Sequence, residues 1–120
     1  MEDSELTRQI IGCAMKVSNT LGVGFLEKVY ENALAIELHG SGLSVKQQMP
    51  LAVFYEGEIV GEYVADLMVE KRVLLELKTA RAIDGSHQAQ LLNYLKATEL
   101  KIGLIFNFGT KRLGVKRMVT

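Results

Sequence analysis

The sequence predicts an α/β fold, α+β in its segment order, with a central mixed β-sheet flanked by helices. Three observations support this: two helical segments come first, several strand-like segments joined by short turns follow, and a strand–helix–strand unit lies near the C-terminus. The 120 residues, 48% of them hydrophobic and 23% charged, have the size and composition of one globular domain spanning residues 1–120.

Two amphipathic helices are predicted before the first strand. The first begins at Ser4, a residue type that favours the N-cap position, and ends at Gly22. The second runs from Phe25 to His39, and within it Tyr30 is expected to pack in the core with one partner for its hydroxyl. The apolar residues recur at helical spacing in both segments: Leu6, Ile10, Ile11, Ala14, Val17 and Leu21, then Leu26, Val29, Tyr30, Ala33, Leu34 and Leu38.

Four strands are predicted between the second helix and the third. Pro50 lacks a backbone N–H and therefore favours a sheet edge or a break between the first two strands. Glu56-Gly57 is typical of a two-residue hairpin turn, and Glu70-Lys71 is read as a second short turn. The predicted strands cover residues 43–49, 51–55 and 58–69 and the run that begins at Val73.

The C-terminal part predicts a crossover unit followed by an edge strand. A helix from Ser86 to Thr98 precedes a short apolar strand from Ile102 to Phe106, and His87 is expected to be a capping or surface residue. Because such crossovers are right-handed and join parallel strands, this strand and the one at 73–78 should be parallel neighbours. A turn at 107–109 then leads to an edge strand at 113–119.

The run from Asp66 to Lys78 places charges inside predicted strands. Because side chains alternate along a strand, Glu76 and Lys78 point to one side, and Leu75 and Leu77 point to the other. An unpaired charge buried in a central strand is costly. Mg²⁺, which prefers carboxylate oxygens and water, would explain two acids and a lysine there. A solvated face or a simple ion pair is the plain alternative.

Composition excludes some classes of function and leaves others open. No apolar run is long enough to span a bilayer, and the single Cys13 suits a buried thiol in a reducing cytosol, so a cytoplasmic protein is predicted. Fourteen cationic and fourteen acidic residues give no overall electrostatic signature of nucleic-acid binding. After Lys78 the cations outnumber the acids, which leaves a local basic surface open. The cations there are Arg81, Lys96, Lys101, Lys111, Arg112, Lys116 and Arg117, and the acids are Asp84 and Glu99.

Four polar features follow one another along the predicted elements. They are Glu27 on a helix, Asp66 within a strand, Glu76-x-Lys78 on the next strand, and Gln90-x-x-x-Tyr94 on the next helix. In residue type and order they resemble the PD-(D/E)xK nuclease superfamily, and the stretch Gly24-Phe25-Leu26-Glu27-Lys28-Val29-Tyr30 is similar to the pattern that names its bacterial GxxExxY family. The resemblance extends over nearly the whole chain and implies a restriction-endonuclease-like core. One departure is Ala65, which stands where the superfamily's name-giving proline would be.

The resemblance implies a metal site. Asp66 and Glu76 would bind Mg²⁺ or Mn²⁺, with the backbone carbonyl of Leu77 as a third protein oxygen. Glu27 would add a further metal ligand or hold a water on the metal.

The resemblance also implies three catalytic side chains besides the acids. Lys78 would orient or deprotonate the attacking water, and Gln90 and Tyr94 would face the scissile phosphate or the metal shell. Phosphodiester hydrolysis needs charge neutralisation and an activated water near neutral pH, which a metal and a lysine supply.

The predicted function is metal-dependent hydrolysis of phosphodiester bonds in DNA, with RNA as the less favoured substrate. By analogy with other minimal nucleases, a homodimer or higher homo-oligomer is expected in the bacterial cytoplasm. The alternative from another class is a nuclease-fold module without turnover that binds nucleic acid or protein. An enzyme for a smaller phosphoryl substrate is a third alternative and would need a closed pocket beside Asp66.

Overall fold

The computed structural model describes residues 2–120, which form three helices and five strands. This set of helices and strands confirms the predicted α/β class with a mixed sheet. None of the three described helices combines the length and the apolar character that a membrane span requires. In chain order the elements are α1 (Glu2–Leu21), α2 (Glu27–Gly40), β1 (Val45–Tyr55), β2 (Glu58–Val69), β3 (Val73–Lys78), α3 (Gly85–Thr98), β4 (Ile102–Asn107) and β5 (Gly114–Val119).

The five strands form one sheet whose spatial order follows the chain order. β1 and β2, β2 and β3, and β4 and β5 pair antiparallel, whereas β3 and β4 are parallel. α3 connects the two parallel strands, as the strand–helix–strand pattern predicts. β3 and β4 have a neighbouring strand on each side and are buried almost throughout, which leaves β1 and β5 at the edges.

Helices cover both faces of the sheet. The first face packs against α1 and α2 and includes Leu75, Leu77 and Leu104, whereas the second packs against α3 and includes Leu74 and Ile105. Successive residues of β3 therefore enter opposite cores, as strand alternation requires. We call these the α1–α2 core and the α3 core.

The prediction of four strands before the third helix is wrong, because the first two are one continuous strand. β1 runs through Pro50, which is tolerated since an edge strand has one side without a neighbour. The backbone irregularity lies two residues earlier, at Gln48, whose φ angle is 54°. Gln48, and not Pro50, is therefore the residue of β1 that departs from extended geometry.

Both predicted turns are present. The first has two residues, Glu56-Gly57, whereas the second has three, Glu70 to Arg72, between the paired residues Val69 and Val73. Glu56 and Gly57 have φ angles of 51° and 82°, and Glu70 and Lys71 have angles of 55° and 56°. Left-handed backbone costs a non-glycine residue about 1–2 kcal/mol. The Glu70 carboxylate offsets part of this cost by accepting a 2.7 Å hydrogen bond from the backbone N of Ser44, and that bond lowers the pKa of Glu70.

Two details of the helix predictions are wrong. Ser4 lies inside α1, which is already helical at Glu2, and so it is not the N-cap. α2 begins at Glu27, with Leu26 as its N-cap residue. The side chains of Leu26 and Val29 are 81% and 40% exposed, and neither residue belongs to the buried stripe of the helix. The buried residues of α2 are Tyr30, Glu31, Leu34, Ala35 and Leu38.

The start of α3 lies within one residue of its predicted position. The Asp84 carboxylate accepts hydrogen bonds from the backbone N atoms of Ser86 (2.9 Å) and His87 (3.1 Å), and His87 Nδ1 accepts one from the backbone N of Asp84 (3.3 Å). These reciprocal bonds satisfy backbone donors that a helix start leaves unpaired. The capping role expected for His87 is confirmed.

Candidate active site

β2 and β3 separate at Asp66 and Glu76. Their antiparallel ladder ends at the pair Leu67–Leu75, and beyond it side chains replace the backbone bonds. Glu76 Oε2 accepts a hydrogen bond from the backbone N of Asp66 (2.9 Å), and Asp66 Oδ2 accepts one from the backbone N of Leu77 (2.8 Å). The two carboxylates therefore occupy the fork between the two strands, and each is held by the backbone of the opposite strand.

Burial disfavours the ionised form of both carboxylates. Glu76 is 5% exposed, and its burial, with repulsion from Asp66 as the next cause, raises its pKa to about 7. Burial also raises the pKa of Asp66, although the hydrogen bond from Leu77 opposes this. A cation beside the pair would favour both charged forms. The donor set and its electrostatics therefore fit a divalent metal ion.

Lys78 and one face of α3 complete the polar cluster. Lys78 Nζ donates a 3.3 Å hydrogen bond to Gln90 Oε1. Burial, followed by the charges of Glu76 and Asp66, raises the pKa of Tyr94, so its hydroxyl keeps its proton near neutral pH. Gln90 and Tyr94 are four residues apart and share one helix face.

The loop before α2 is held by Tyr30. The Tyr30 hydroxyl donates to the carbonyl O of Gly22 (2.7 Å) and accepts from the backbone N of Phe25 (3.2 Å). Its buried ring stacks on Phe108, with centroids 4.6 Å apart. Gly24 has a φ angle of 111°, which side chains other than glycine rarely adopt. The predicted packing of Tyr30, with a partner for its hydroxyl, is confirmed.

Glu27 lies at the end of β3, next to this cluster. Its Oε2 accepts a 3.1 Å hydrogen bond from the backbone N of Thr79, the residue that follows Lys78. The charge of Glu27 contributes to the raised pKa values of Asp66 and Glu76. Glu27, expected as a metal ligand or as the holder of a metal-bound water, thus lies beside the cluster and binds the backbone of the exposed Thr79.

A further acid near the cluster was not singled out by sequence reasoning. Glu31 is 4% exposed and accepts hydrogen bonds from Lys28 Nζ (3.2 Å to each oxygen), Gln47 Nε2 (2.7 Å) and Gln48 Nε2 (2.8 Å). Its charge contributes to the raised pKa of Asp66. The signal that could have found it is its place directly after the buried Tyr30, on the same helical stripe.

The turn after β4 fixes the loop that follows Lys78. Asn107 is buried; its Oδ1 accepts from the backbone N of Ala80 and its Nδ2 donates to the carbonyl O of Ala80, both at 2.9 Å. The carbonyl O of Lys78 accepts a 2.8 Å bond from the backbone N of Phe108. A Cβ atom on Gly109 would lie 2.4 Å from the Ala80 carbonyl O, so this contact requires glycine.

The structure brings the five predicted side chains of the cluster together. Within residues 2–120, no group of three or more His, Cys, Asp or Glu side chains is arranged to hold a metal ion. The geometry therefore supports a site with two carboxylates, Asp66 and Glu76, and leaves Glu27 on the Thr79 amide. Two carboxylates suffice for Mg²⁺, which commonly completes its shell with water and substrate phosphate oxygens.

A mixed sheet with two acids and a lysine on adjacent strands, and helices on both faces, defines a restriction-endonuclease-like fold. The family model described as the PD-(D/E)XK nuclease superfamily matches residues 4–118, and the chain therefore belongs to that superfamily. Proteins of this superfamily generally bind nucleic acid and use divalent metal ions.

A solved structure, the crystal structure of SSO0001, is similar to this chain. The TM-score is 0.61 at 19% sequence identity, and the match covers 77% of this chain and 48% of the SSO0001 chain. This chain thus spans about half the length of SSO0001, and at this identity the likeness shows the fold alone. A search of curated proteins found no match to the sequence.

Proposed function

We propose that this chain is a metal-dependent nuclease that hydrolyses phosphodiester bonds in DNA. The observation that carries the proposal is the pair formed by the half-buried Asp66 and the buried Glu76 in the fork between β2 and β3, with Lys78 two residues beyond Glu76 on β3. Membership of the nuclease superfamily supports a nucleic-acid substrate. We assign the chain to the GxxExxY group, because Gly24 and Tyr30 shape the loop that leads to Glu27.

In this proposal Asp66 and Glu76 hold Mg²⁺ or Mn²⁺, with the carbonyl oxygen of Leu77 as a third protein ligand. The ion, when bound, would neutralise charge on the phosphate and increase the acidity of water. The two backbone hydrogen bonds at the fork orient the carboxylates before any ion arrives. Preorganisation of this kind lowers the cost of assembling the site.

The other side chains of the cluster act on the phosphate and on the attacking water. Gln90 holds Lys78 Nζ through its Oε1, which points the cation towards the reaction centre. Lys78 then orients the water or stabilises developing negative charge. Tyr94 donates a hydrogen bond to a phosphate oxygen, since its hydroxyl remains protonated. Glu27 fixes the segment after Lys78 by accepting from the Thr79 amide.

The test is calorimetric titration of Mn²⁺ into the wild type and into an Asp66→Asn/Glu76→Gln variant, followed by cleavage assays on single- and double-stranded DNA. The matched control is Glu58→Gln/Glu62→Gln, which neutralises two exposed acids on the same strand as Asp66. We expect Mn²⁺ binding and DNA cleavage in the wild type and the control, and neither in the Asp66/Glu76 variant.

The alternative is a nuclease-fold module that binds nucleic acid or protein without turnover. Wild-type protein that binds DNA in a gel-shift assay, but binds no Mn²⁺ and cleaves no DNA, would replace our proposal with this one. Cleavage that persists in the Asp66/Glu76 variant would instead show that the site lies elsewhere.

A smaller phosphoryl substrate would need a closed pocket beside Asp66. Two surface hollows, of about 280 and 550 Å³, are lined by residues of β1, β2 and α3 and include neither Asp66 nor Glu76 in their linings. These hollows give that alternative no support, and we retain a polymeric substrate.

We further propose that residues 1–120 act as one nuclease-like domain, as a homo-oligomer in the bacterial cytoplasm. The end of the β1–β2 hairpin supports self-association, because it exposes a group of large apolar side chains that are 55–68% accessible. Contiguous apolar surface of this kind often marks a protein contact. The residues are Phe54, Tyr55, Ile59 and Val60.

A further inference from the structure

At Gln48, the side chains of β1 change the face of the sheet to which they point. Val45 packs against the α1–α2 core, and Gln47 hydrogen-bonds to Glu31 of α2, whereas Met49 packs against the α3 core. Regular alternation would place residues 45, 47 and 49 on one face. The left-handed backbone of Gln48, with φ of 54°, lies between the two orientations.

β2 changes face at the residue directly opposite. Leu67 belongs to the α1–α2 core, whereas Ala65, two residues away, belongs to the α3 core. The pairing register is constant on both sides of this point, from Gln47↔Leu67 to Met49↔Ala65, and the intervening residues Gln48 and Asp66 are left out of the ladder. Asp66 therefore lies at the position where the side chains of the β1–β2 hairpin change the face of the sheet to which they point.

Glu31 is the residue that holds this irregularity. Its buried carboxylate accepts hydrogen bonds from the side-chain amides of both Gln47 and Gln48, at 2.7 and 2.8 Å. Left-handed backbone is unfavourable for glutamine, because its Cβ crowds the following carbonyl oxygen. Strained backbone persists where surrounding contacts over-determine it, and it clusters at functional sites. Here the bonds come from α2, the helix that precedes β1 in the chain.

We propose that Glu31 is a positioning residue that acts on Asp66 through the backbone of Gln48. By fixing the left-handed conformation of Gln48, Glu31 sets the point where the hairpin changes face, and this directs the Asp66 carboxylate to the Leu77 amide beside Glu76. The consequence for metal binding rests on the proposed function, whereas the effect on the Asp66–Leu77 bond does not.

The primary test measures hydrogen exchange of the Leu77 amide in metal-free protein, because this amide donates to Asp66 Oδ2. Exchange is normalised to a core amide such as that of Leu104. We expect protection to fall about tenfold or more in Glu31→Ala, because loss of hydrogen bonds to a charged group favours local opening at Gln48 and Asp66. The matched control is Glu37→Ala, which removes an acid of the same helix that pairs with Lys16 on α1, and it should stay within twofold of wild type.

A pair of substitutions at Gln48 separates the backbone effect from lost side-chain contacts. Gln48→Ala and Gln48→Gly both remove the amide, but only glycine adopts the left-handed conformation at no steric cost. We expect Gln48→Ala to lose protection as Glu31→Ala does, and Gln48→Gly to remain within about threefold of wild type. The double variant Glu31→Ala/Gln48→Gly should recover the protection lost in Glu31→Ala. If Glu31→Ala does not fold, the comparison of Gln48→Ala with Gln48→Gly tests the inference by itself.

Mn²⁺ titration of the same variants connects the positioning to the site. We expect affinity to fall about tenfold in Glu31→Ala and Gln48→Ala and to recover with glycine, as is usual for residues that orient a metal ligand. Protection unchanged in Glu31→Ala and Gln48→Ala, or no recovery with Gln48→Gly, would overturn the inference. A wild type that binds no Mn²⁺, with the exchange pattern as expected, would refute the metal site and leave the positioning of Asp66 established.

Discussion

At the scale of single residues, the main feature is a buried carboxylate, Glu76, beside a half-buried one, Asp66, where the charge of Lys78 offsets the effect of burial only in part. Asp66 and Glu76 each accept a backbone N–H bond, which favours the charged form, yet burial raises both pKa values. Two neighbouring carboxylates with raised pKa values lower the stability of the folded protein at neutral pH. Such raised pKa values in a polar cluster are characteristic of functional sites.

The raised pKa of Glu76 predicts a specific dependence of stability on pH. Between its ordinary value of 4.5 and about 7, the folded protein keeps a proton that the unfolded chain has released, so stability falls as pH rises through this window and stays low above it. In EDTA at pH 8, Glu76→Gln should therefore raise the free energy of unfolding by roughly 1–3 kcal/mol, and the gain should shrink towards pH 4.5. Urea unfolding at the two pH values measures this. A gain that is equal at both would contradict the assignment.

Lys78 offers a second prediction at this scale. Lys78→Gln keeps a hydrogen-bonding side chain but removes the positive charge beside the acids, so DNA cleavage should slow by about 10²–10⁴-fold while the fold is retained. Single-turnover cleavage and circular dichroism measure the two quantities. Lys71→Gln, on the exposed β2–β3 turn, is the control and should leave the rate unchanged. A similar loss in both variants would point to a general effect of charge on DNA binding.

At the scale of elements, the position of α3 depends on a glycine in β4. A Cβ atom on Gly103 would lie 2.8–2.9 Å from the side chain of Leu91, which is fully buried. α3 therefore lies closer to β4 than a larger residue would allow. Because Gln90 and Tyr94 are on the same helix, this contact also sets their distance from β3.

Substitution at this contact should change both stability and activity. Gly103→Val should lower the free energy of unfolding by about 1–3 kcal/mol through overpacking, and it should reduce cleavage by displacing α3. The control is Gly12→Ala in α1, where a Cβ would meet nothing within 4 Å. That variant should gain about 0.5–1 kcal/mol through helix propensity. Urea unfolding tests both, and a Gly103→Val variant as stable as wild type would refute the close-packing account.

At the scale of the whole molecule, the proposed metal site would couple metal binding to folding. An ion that binds the folded state alone stabilises it by RT ln(1 + [L]/Kd), about 2.7 kcal/mol at a concentration of 100 Kd. We expect Mn²⁺ at pH 8 to raise the Tm of the wild type and to leave that of Asp66→Asn/Glu76→Gln unchanged. Differential scanning fluorimetry with matched Ca²⁺ and EDTA samples measures the shift, and equal shifts in both proteins would place the ion elsewhere.

The exposed hairpin end gives a prediction about association. If the proposed homo-oligomer forms through this surface, Phe54→Ser/Ile59→Ser should lower the sedimentation coefficient and leave the unfolding free energy within about 0.5 kcal/mol, because both side chains are more than half exposed. Glu58→Gln, at the same hairpin end, is the control. A wild type that sediments as a monomer at all concentrations would remove this part of the proposal.

The order and type of nearly all elements could be predicted from the sequence, because local patterns carry that information. Helical periodicity, turn residues and the alternation in β3 depend on neighbours a few positions apart. The same locality explains the main errors. The local pattern allows a break at Pro50, although an edge strand tolerates proline, and it places Leu26 on the apolar stripe, although Leu26 precedes the first turn of α2.

The sequence by itself determined the fold class and the placement of the acids and the lysine on adjacent strands, since each follows from local residue order. Tertiary structure alone decided that Glu31 is buried against Gln48, that the hairpin changes face at Asp66, and that the two acids bond to opposite strands. These features join residues 10 to 17 positions apart across different elements. No local pattern encodes such contacts, because they arise only when helices and strands pack together.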